Sequence, residues 1–204
     1  MKAALQSFSP FKSCGTDDLK PIVFNNLGPN AITFIAKAMQ VSYSLGYIPR
    51  TWHETMAIFI PKPAKADYGL AGSFRPISLM QFMFKTAERV IMWDILDKES
   101  RLEVKPPSQW QHAYRSDKGT DTAIAEQVDL IESAIYREKY ALVVSMDMQG
   151  AFDNLKTESI VRGMKNKLYP QKTITWYRNF LENRNVSAEL LGGKCTLCPK
   201  CGTP

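Results

Sequence analysis

Asp147 has surroundings that suggest chemistry. It follows an apolar run, Ala141 to Met146, and precedes the small and turn-prone residues around Gly150. This pattern predicts a buried strand over 141–147 with a carboxylate at its exit. Burying that carboxylate without a partner is costly, so it is expected to face solvent, a cation or a backbone donor. A hard cation such as Mg²⁺ suits an oxygen ligand there, although an Asp at a strand end also commonly serves as a cap or turn residue. A second group is cationic: Lys62, Lys65 and Arg75 fall on or near two β-rich runs, Thr55–Pro61 and Ser73–Leu79, that flank a polar loop. The runs predict a hairpin whose cations could grip phosphates, and the same residues equally suit an ordinary exposed turn. The third group is Cys195-x₂-Cys198-x₂-Cys201. A structural zinc site wants four ligands, and the one remaining cysteine is the distant Cys14, so three loop thiols are favoured over zinc at Cys195, Cys198 and Cys201. His53 and His112 stand alone, without ligand spacing, and a structural role is favoured for both.

The elements that position these residues alternate between helices and short strands. Ala4, Leu5 and Phe8 suit a short first helix, and Pro21 can open the next. Ile32, Ile35, Ala36, Met39 and Tyr43 have helical period, closed by Gly46 and Pro49. Phe84, Ala87, Ile91 and Ile95 mark another helix, and Ile124, Val128, Ile131 and Ile135 form a single stripe on a later one. Further helices are predicted around Ile160–Leu168 and Ile174–Leu181, with a strand at Val186–Leu191. No repeat or low-complexity tract is present, so the fold class is α+β or α/β.

Composition narrows the function classes. With 204 residues, 45% of them hydrophobic, the chain can bury a sizeable core. No stretch approaches the ~20 apolar residues of a membrane span, and the first residues lack the apolar core of a signal peptide. Its cysteines do not form a secreted disulfide framework, so a cytoplasmic or nuclear location is expected rather than secretion. The net charge of +6 is uneven: residues 1–136 hold 15 Lys/Arg against 14 Asp/Glu, and residues 137–204 hold 11 against 6. Arg162, Lys165, Lys167, Lys172, Arg178 and Arg184 could form a face for a phosphate backbone or merely solvated helix surfaces.

Six stretches in order carry a resemblance. They are Lys12–Pro21, Ile60-Pro-Lys-Pro63, Phe74-Arg-Pro-Ile-Ser-Leu79, Gln111-His-Ala-Tyr-Arg115 with Thr120–Ala123, Asp147–Asp153 and Gly202-Thr-Pro204. Their order and spacing resemble reverse transcriptases of the non-LTR (LINE-type) retrotransposon branch. Cys14 and Asp18 depart from that family's loop, which commonly has Pro and Gly there. The resemblance implies an α+β fold, the fingers and partial palm of a right-hand polymerase truncated before the remaining palm and thumb. Residues 1–138 would be fingers-like, mainly helical with a β-hairpin near 55–79, and residues 139–204 an incomplete palm containing the first catalytic-Asp strand.

The resemblance also implies roles. Asp147 is similar to the first metal-binding, catalytic Asp, with the backbone carbonyl of Met148 as a further Mg²⁺ ligand. Lys62 and Arg75 resemble the cations that hold the deoxynucleoside triphosphate, and Phe152 the aromatic gate under its sugar, with a core aromatic as its other reading. Tyr114 and Arg115 resemble residues that contact the nucleic acid, and with Asp153 they equally suit capping or packing. The implied partners are an RNA template, a DNA primer and deoxynucleoside triphosphates, with no membrane. In the family two adjacent Asp that complete the metal site come after the Gly-Thr-Pro block, so Mg²⁺-dependent nucleotidyl transfer is expected of the complete protein, and this piece is expected to be inactive alone. A non-catalytic RNA- or DNA-binding module and a non-functional relic are the alternatives. An unpaired palm edge at 141–147 would favour self-association.

Overall fold

The computed structural model describes residues 1–148, 150–190 and 192–202. Gln149, Leu191, Thr203 and Pro204, which belong to stretches singled out above, lie outside the described residues. The chain divides into two compact units, Met1–Val104 with Ala151–Pro204, and Lys105–Gly150.

The larger unit contains α1 (Lys2–Gln6), α2 (Pro21–Asn25), α3 (Pro29–Leu45), β1 (Glu54–Pro61), β2 (Phe74–Met80), α4 (Phe82–Ser100), α6 (Thr157–Asn166), α7 (Gln171–Asn183), β3 (Asn185–Leu190) and β4 (Gly193–Leu197). Pro opens α2 and α3, where its missing N–H is no loss and its fixed φ suits the first helical turn. Gly46 closes α3 at φ +63°, a left-handed conformation that glycine adopts without steric penalty. The four strands form one sheet in the order β2-β1-β3-β4. β1 and β2 pair antiparallel from Thr55 opposite Met80 to Pro61 opposite Phe74. β3 joins β1 in parallel over a short register, Glu54–Met56 beside Asn185–Ser187, and β4 returns antiparallel on β3.

Aromatic residues dominate the core of this unit. Phe84 of α4, 0% exposed, stacks on Phe180 of α7 at 4.2 Å between centroids and on Trp176 at 5.3 Å, with Trp52 edge-on at 6.4 Å. Met39, Ile48, Ile91 and Ile95 belong to the same cluster. The polar tips of its aromatics are satisfied inside: Trp176 Nε1 donates to Ser42 Oγ at 3.1 Å, and Tyr43 and Thr173 share a hydroxyl hydrogen bond of 2.7 Å. His53 is buried against Phe180, with Nε2 3.2 Å from the Ile48 carbonyl. Burial lowers its pKa and keeps the ring neutral, so it can donate to that carbonyl. A smaller cluster of Leu5, Phe24 and Phe82 seats the N-terminal segment. Gly15 permits this close approach, since a Cβ there would lie 2.7 Å from the Gln81 backbone nitrogen.

A further link joins α4 to α7. Tyr177 donates its hydroxyl hydrogen to Glu88 Oε1 at 3.1 Å. Burial is the main cause that raises the pKa of both groups.

The smaller unit is built on α5 (Thr120–Tyr136). His112 lies 2.8 Å from Thr122 Oγ1 through Nδ1 and 3.0 Å from Glu126 Oε2 through Nε2. The backbone N–H of Gly119 donates to Thr122 Oγ1 at 3.0 Å and caps the helix start. One reading of the sequence is corrected in this unit. Residues 141–148 form no strand and stand exposed, so the strand assigned to the first catalytic Asp is absent. An apolar run becomes a strand only where partners take up its N–H and C=O groups, and among the described residues none does. The stripe of α5 is likewise uncovered: the helix has no buried residue, and Ile124, Val128 and Ile135 are exposed.

Two outcomes follow for stability. Phe84→Ala should cost about 3–5 kcal/mol in urea unfolding, because it empties the centre of the stack; a loss below about 1 kcal/mol would contradict that position. A carboxyl whose folded-state pKa is raised contributes stability that is complete below its unfolded pKa and is lost as pH rises through the raised value. Glu88→Gln, which preserves an acceptor for Tyr177, should therefore reduce the fall in melting temperature as pH rises from about 4 to about 8. An identical fall in both proteins would show that Glu88 is not its source.

Candidate functional site

The β1–β2 hairpin brings two of the cations singled out by the sequence onto one surface. Ile60 is opposite Arg75, and the ladder continues as the backbone N–H of Lys62 donates to the Ser73 carbonyl at 2.8 Å. Side chains alternate along a strand and directly opposed residues share a face, so Lys62 emerges on the face of Ile60 and Arg75. Diagonal neighbours of this kind stand about 7–8 Å apart, within reach of a single polyphosphate. Lys62 Nζ donates to the Gly72 carbonyl at 2.9 Å, and Tyr68 donates to the Lys62 carbonyl at 2.8 Å. Asp67 Oδ1 accepts the Gly69 N–H at 2.7 Å, which closes the intervening loop. The Arg75 side chain is exposed and has no ion-pair partner among the described residues.

Phe152 and Asp153 lie against Gly202. Gly202 N–H donates to the Leu155 carbonyl at 2.7 Å, and its φ is +86°. A Cβ at this position would lie 3.1 Å from the Asp153 carbonyl and 3.4 Å from that of Phe152. Two stretches separated by some fifty residues in the chain are thereby packed backbone to backbone. The Phe152 side chain is 59% exposed rather than part of the core, so its reading as a buried aromatic does not hold.

Arg184 is the residue whose place the sequence reading missed. Grouped by the sequence with cations of a phosphate-binding face or of solvated helix surfaces, it is buried instead, and Nη2 donates to the carbonyls of Cys201 and Gly202 at 3.3 and 3.2 Å. Burial lowers its pKa. Arg184 sits between the end of α7 and the start of β3, where no local pattern in the sequence marks an inward direction. Arg178 is also withdrawn from a free face by Glu158 at 3.3 Å and Glu182 at 3.7 Å, whereas Arg162, Lys165 and Lys172 remain exposed.

Asp147, Met148, Tyr114 and Arg115 belong to the smaller unit. Asp147 is exposed, and its Oδ1 accepts the Met148 N–H at 2.9 Å. Tyr114 is exposed with φ +60°, and Arg115 donates to the Ser108 carbonyl at 3.2 Å. Among the described residues no group of three or more His, Cys, Asp or Glu side chains converges as a metal cage. One carboxylate does not balance two dications, so the described residues do not by themselves fit a two-metal centre. Cys195 lies on β4, Cys198 Sγ donates to Asn185 Oδ1 at 2.9 Å, and Cys201 bridges Lys156 through its backbone. No described helix is long and apolar enough to cross a membrane.

Comparison with known proteins gives these positions a family context. Residues 60–201 match the family described as reverse transcriptase (RNA-dependent DNA polymerase). The chain is 27% identical over 188 residues to the RNA-directed DNA polymerase from mobile element jockey of Drosophila melanogaster, an alignment covering 92% of this chain and 20% of that protein. It is 26% identical over 181 residues to a probable RNA-directed DNA polymerase from transposon BS of the same organism, covering 89% and 20%. A retrovirus-related Pol polyprotein from the type-1 retrotransposable element R1 of Bradysia coprophila is 30% identical over 112 residues, covering 53% and 10%. The chain thus spans about a fifth of the length of the first curated relatives it matches. The resemblance read from six ordered stretches and the match over most of the chain agree: this chain belongs to the reverse transcriptase (RNA-dependent DNA polymerase) family.

Proposed function

We propose that this chain is the triphosphate- and template-holding part of an RNA-directed DNA polymerase from a non-LTR retrotransposon. The observation that carries this reading is the shared face of Lys62 and Arg75 on the β1–β2 hairpin, in stretches that fall within the family match. A guanidinium fork and an ammonium on one rigid surface suit a triphosphate, whose negative charge grows at the leaving group during transfer. Residues 1–138 are the fingers-like region in this reading and residues 139–204 the incomplete palm.

Phe152 is proposed to pack under the sugar of the incoming nucleotide, and Tyr114 and Arg115 to contact the nucleic acid. Asp147, with the Met148 carbonyl, is the contribution of this stretch to a Mg²⁺ site to which further carboxylates must be added. RNA template, DNA primer and deoxynucleoside triphosphates are the proposed partners, in the cytoplasm or nucleus. The exposed apolar residues Leu142, Val143, Val144 and Met146 are where self-association is expected.

A second reading, a binding module without catalysis, is favoured by the lack of a carboxylate cage among the described residues. Binding to poly(rA)–oligo(dT), measured with and without a deoxynucleoside triphosphate and Mg²⁺, separates the two: a nucleotide effect on binding supports the first reading and its absence the second, and primer extension on the same substrate tests for catalysis. The 204-residue chain should incorporate no nucleotide yet bind the substrate in a salt-sensitive manner. Incorporation that disappears in Asp147→Ala would show that the chain completes its own metal site. Absence of salt-sensitive binding would overturn both readings.

A further inference from the structure

The larger unit holds a second group of cations, away from the hairpin. Between the N-terminal segment, the end of β2, α4 and α7 lies a cavity of about 460 Å³. That volume falls within the range of about 300–1,000 Å³ usual for small-molecule sites. Lys12, Lys85 and Arg89 line it, together with Glu88 and the aromatic rings of Phe8 and Trp93. Lys62 and Arg75 take no part in its walls.

Contacts with aromatic rings hold two of the cations in place. The Arg89 guanidinium lies 4.1 Å over the Phe8 ring, and its Nη1 donates to the Ser7 hydroxyl and carbonyl at 2.6 and 3.1 Å. Lys85 Nζ stands 4.9 Å from the centre of the Phe82 ring. None of the three cations has an ion-pair partner among the described residues. Lys12 and Lys85 line the same cavity, so folding brings two like charges to one partly dry wall, and burial first and the charge of Lys12 second lower the pKa of Lys85. Repulsion of this kind is relieved by an anion. Glu88 offsets only part of the charge, because its carboxyl accepts from Tyr177 and burial favours its neutral form.

The remaining wall suits a flat ring. Trp93 is 43% exposed in a cavity whose charged groups are mostly cationic. A planar ring carrying an anionic group satisfies both features, and that is the chemistry of a nucleotide. We propose that this cavity binds a nucleotide, with its phosphate between Lys12 and Lys85 and its base against Trp93. The inference does not depend on the role given to the hairpin. The nucleotide is either free or one unit of a single strand.

Isothermal titration of the whole chain with adenosine monophosphate and with a short oligoadenylate tests this. At least one should bind saturably. Preference for the oligonucleotide identifies a strand as the source, and equal affinity identifies the free nucleotide. Lys12→Gln with Lys85→Gln should weaken binding about tenfold or more, the loss expected when charge-assisted hydrogen bonds to phosphate are removed. Trp93→Ala should weaken it about fivefold or more through lost stacking. Lys37→Gln, at an exposed position on α3, should leave affinity within about twofold. Lys12 is exposed, so Lys12→Gln alone replaces the double variant if that variant does not unfold cooperatively. Lack of saturable binding of either ligand overturns the proposal, as does binding that the lysine or Trp93 variants leave unchanged.

Discussion

The stack of Phe84 on Trp176 and Phe180 is the interaction on which the larger unit depends. Its rings come from α4 and α7, about ninety residues apart in the chain, so no local preference brings them together. Aromatic burial supplies the favourable energy, and the inward hydrogen bonds of Trp176 and Tyr177 fix the orientation. Once α7 is held, the chain leaves it directly into β3. The parallel pairing of β3 with β1 is short, and Asn185 strengthens it by donating to Glu54 Oε1 at 3.2 Å. Core and sheet are thus coupled through the end of a single helix.

That coupling gives the hairpin its value. A two-stranded ribbon is marginal in water, whereas the start of β1 is paired on its other edge by β3 at Glu54–Met56, next to buried Trp52, His53 and Thr55. Lys62 and Arg75 lie at the far end of the hairpin from that pairing, where the loop between them is closed by its own hydrogen bonds. At the other end of the sheet, Arg184 holds the carbonyls of Cys201 and Gly202, and Gly202 rests against Phe152 and Asp153. Only Nη2 of this guanidinium is used, Nε and Nη1 being buried without a hydrogen-bond partner among the described residues, so the residue fixes the segment at an electrostatic cost.

Much of this was legible in the sequence, and the exceptions share a physical cause. Helical period marked α3, α4 and α7 because each buries one face, and the β-rich runs around 55–61 and 73–79 pair as a hairpin because they are close in sequence. The ordered stretches were enough for the family. Residues 141–147 misled because an apolar β-prone run states only that a strand is possible, and formation requires partners from elsewhere. Ile124, Val128 and Ile135 mark the helix α5 correctly, and their exposure shows that a stripe marks a face that can be covered without supplying the cover. Arg184 was misplaced because a count of charges carries no direction, and the Glu88–Tyr177 link, like the β1–β3 pairing, joins residues too far apart for any local pattern to record.

The role proposed for the β1–β2 hairpin is to receive the triphosphate. Hydrogen exchange of the chain, followed with and without a deoxynucleoside triphosphate and Mg²⁺ in the presence of primer–template, tests it most directly. Slower exchange is expected mainly at the amides around Lys62–Ser73 and Arg75, an effect that Arg75→Ala abolishes. Protection elsewhere with an unchanged hairpin would contradict it.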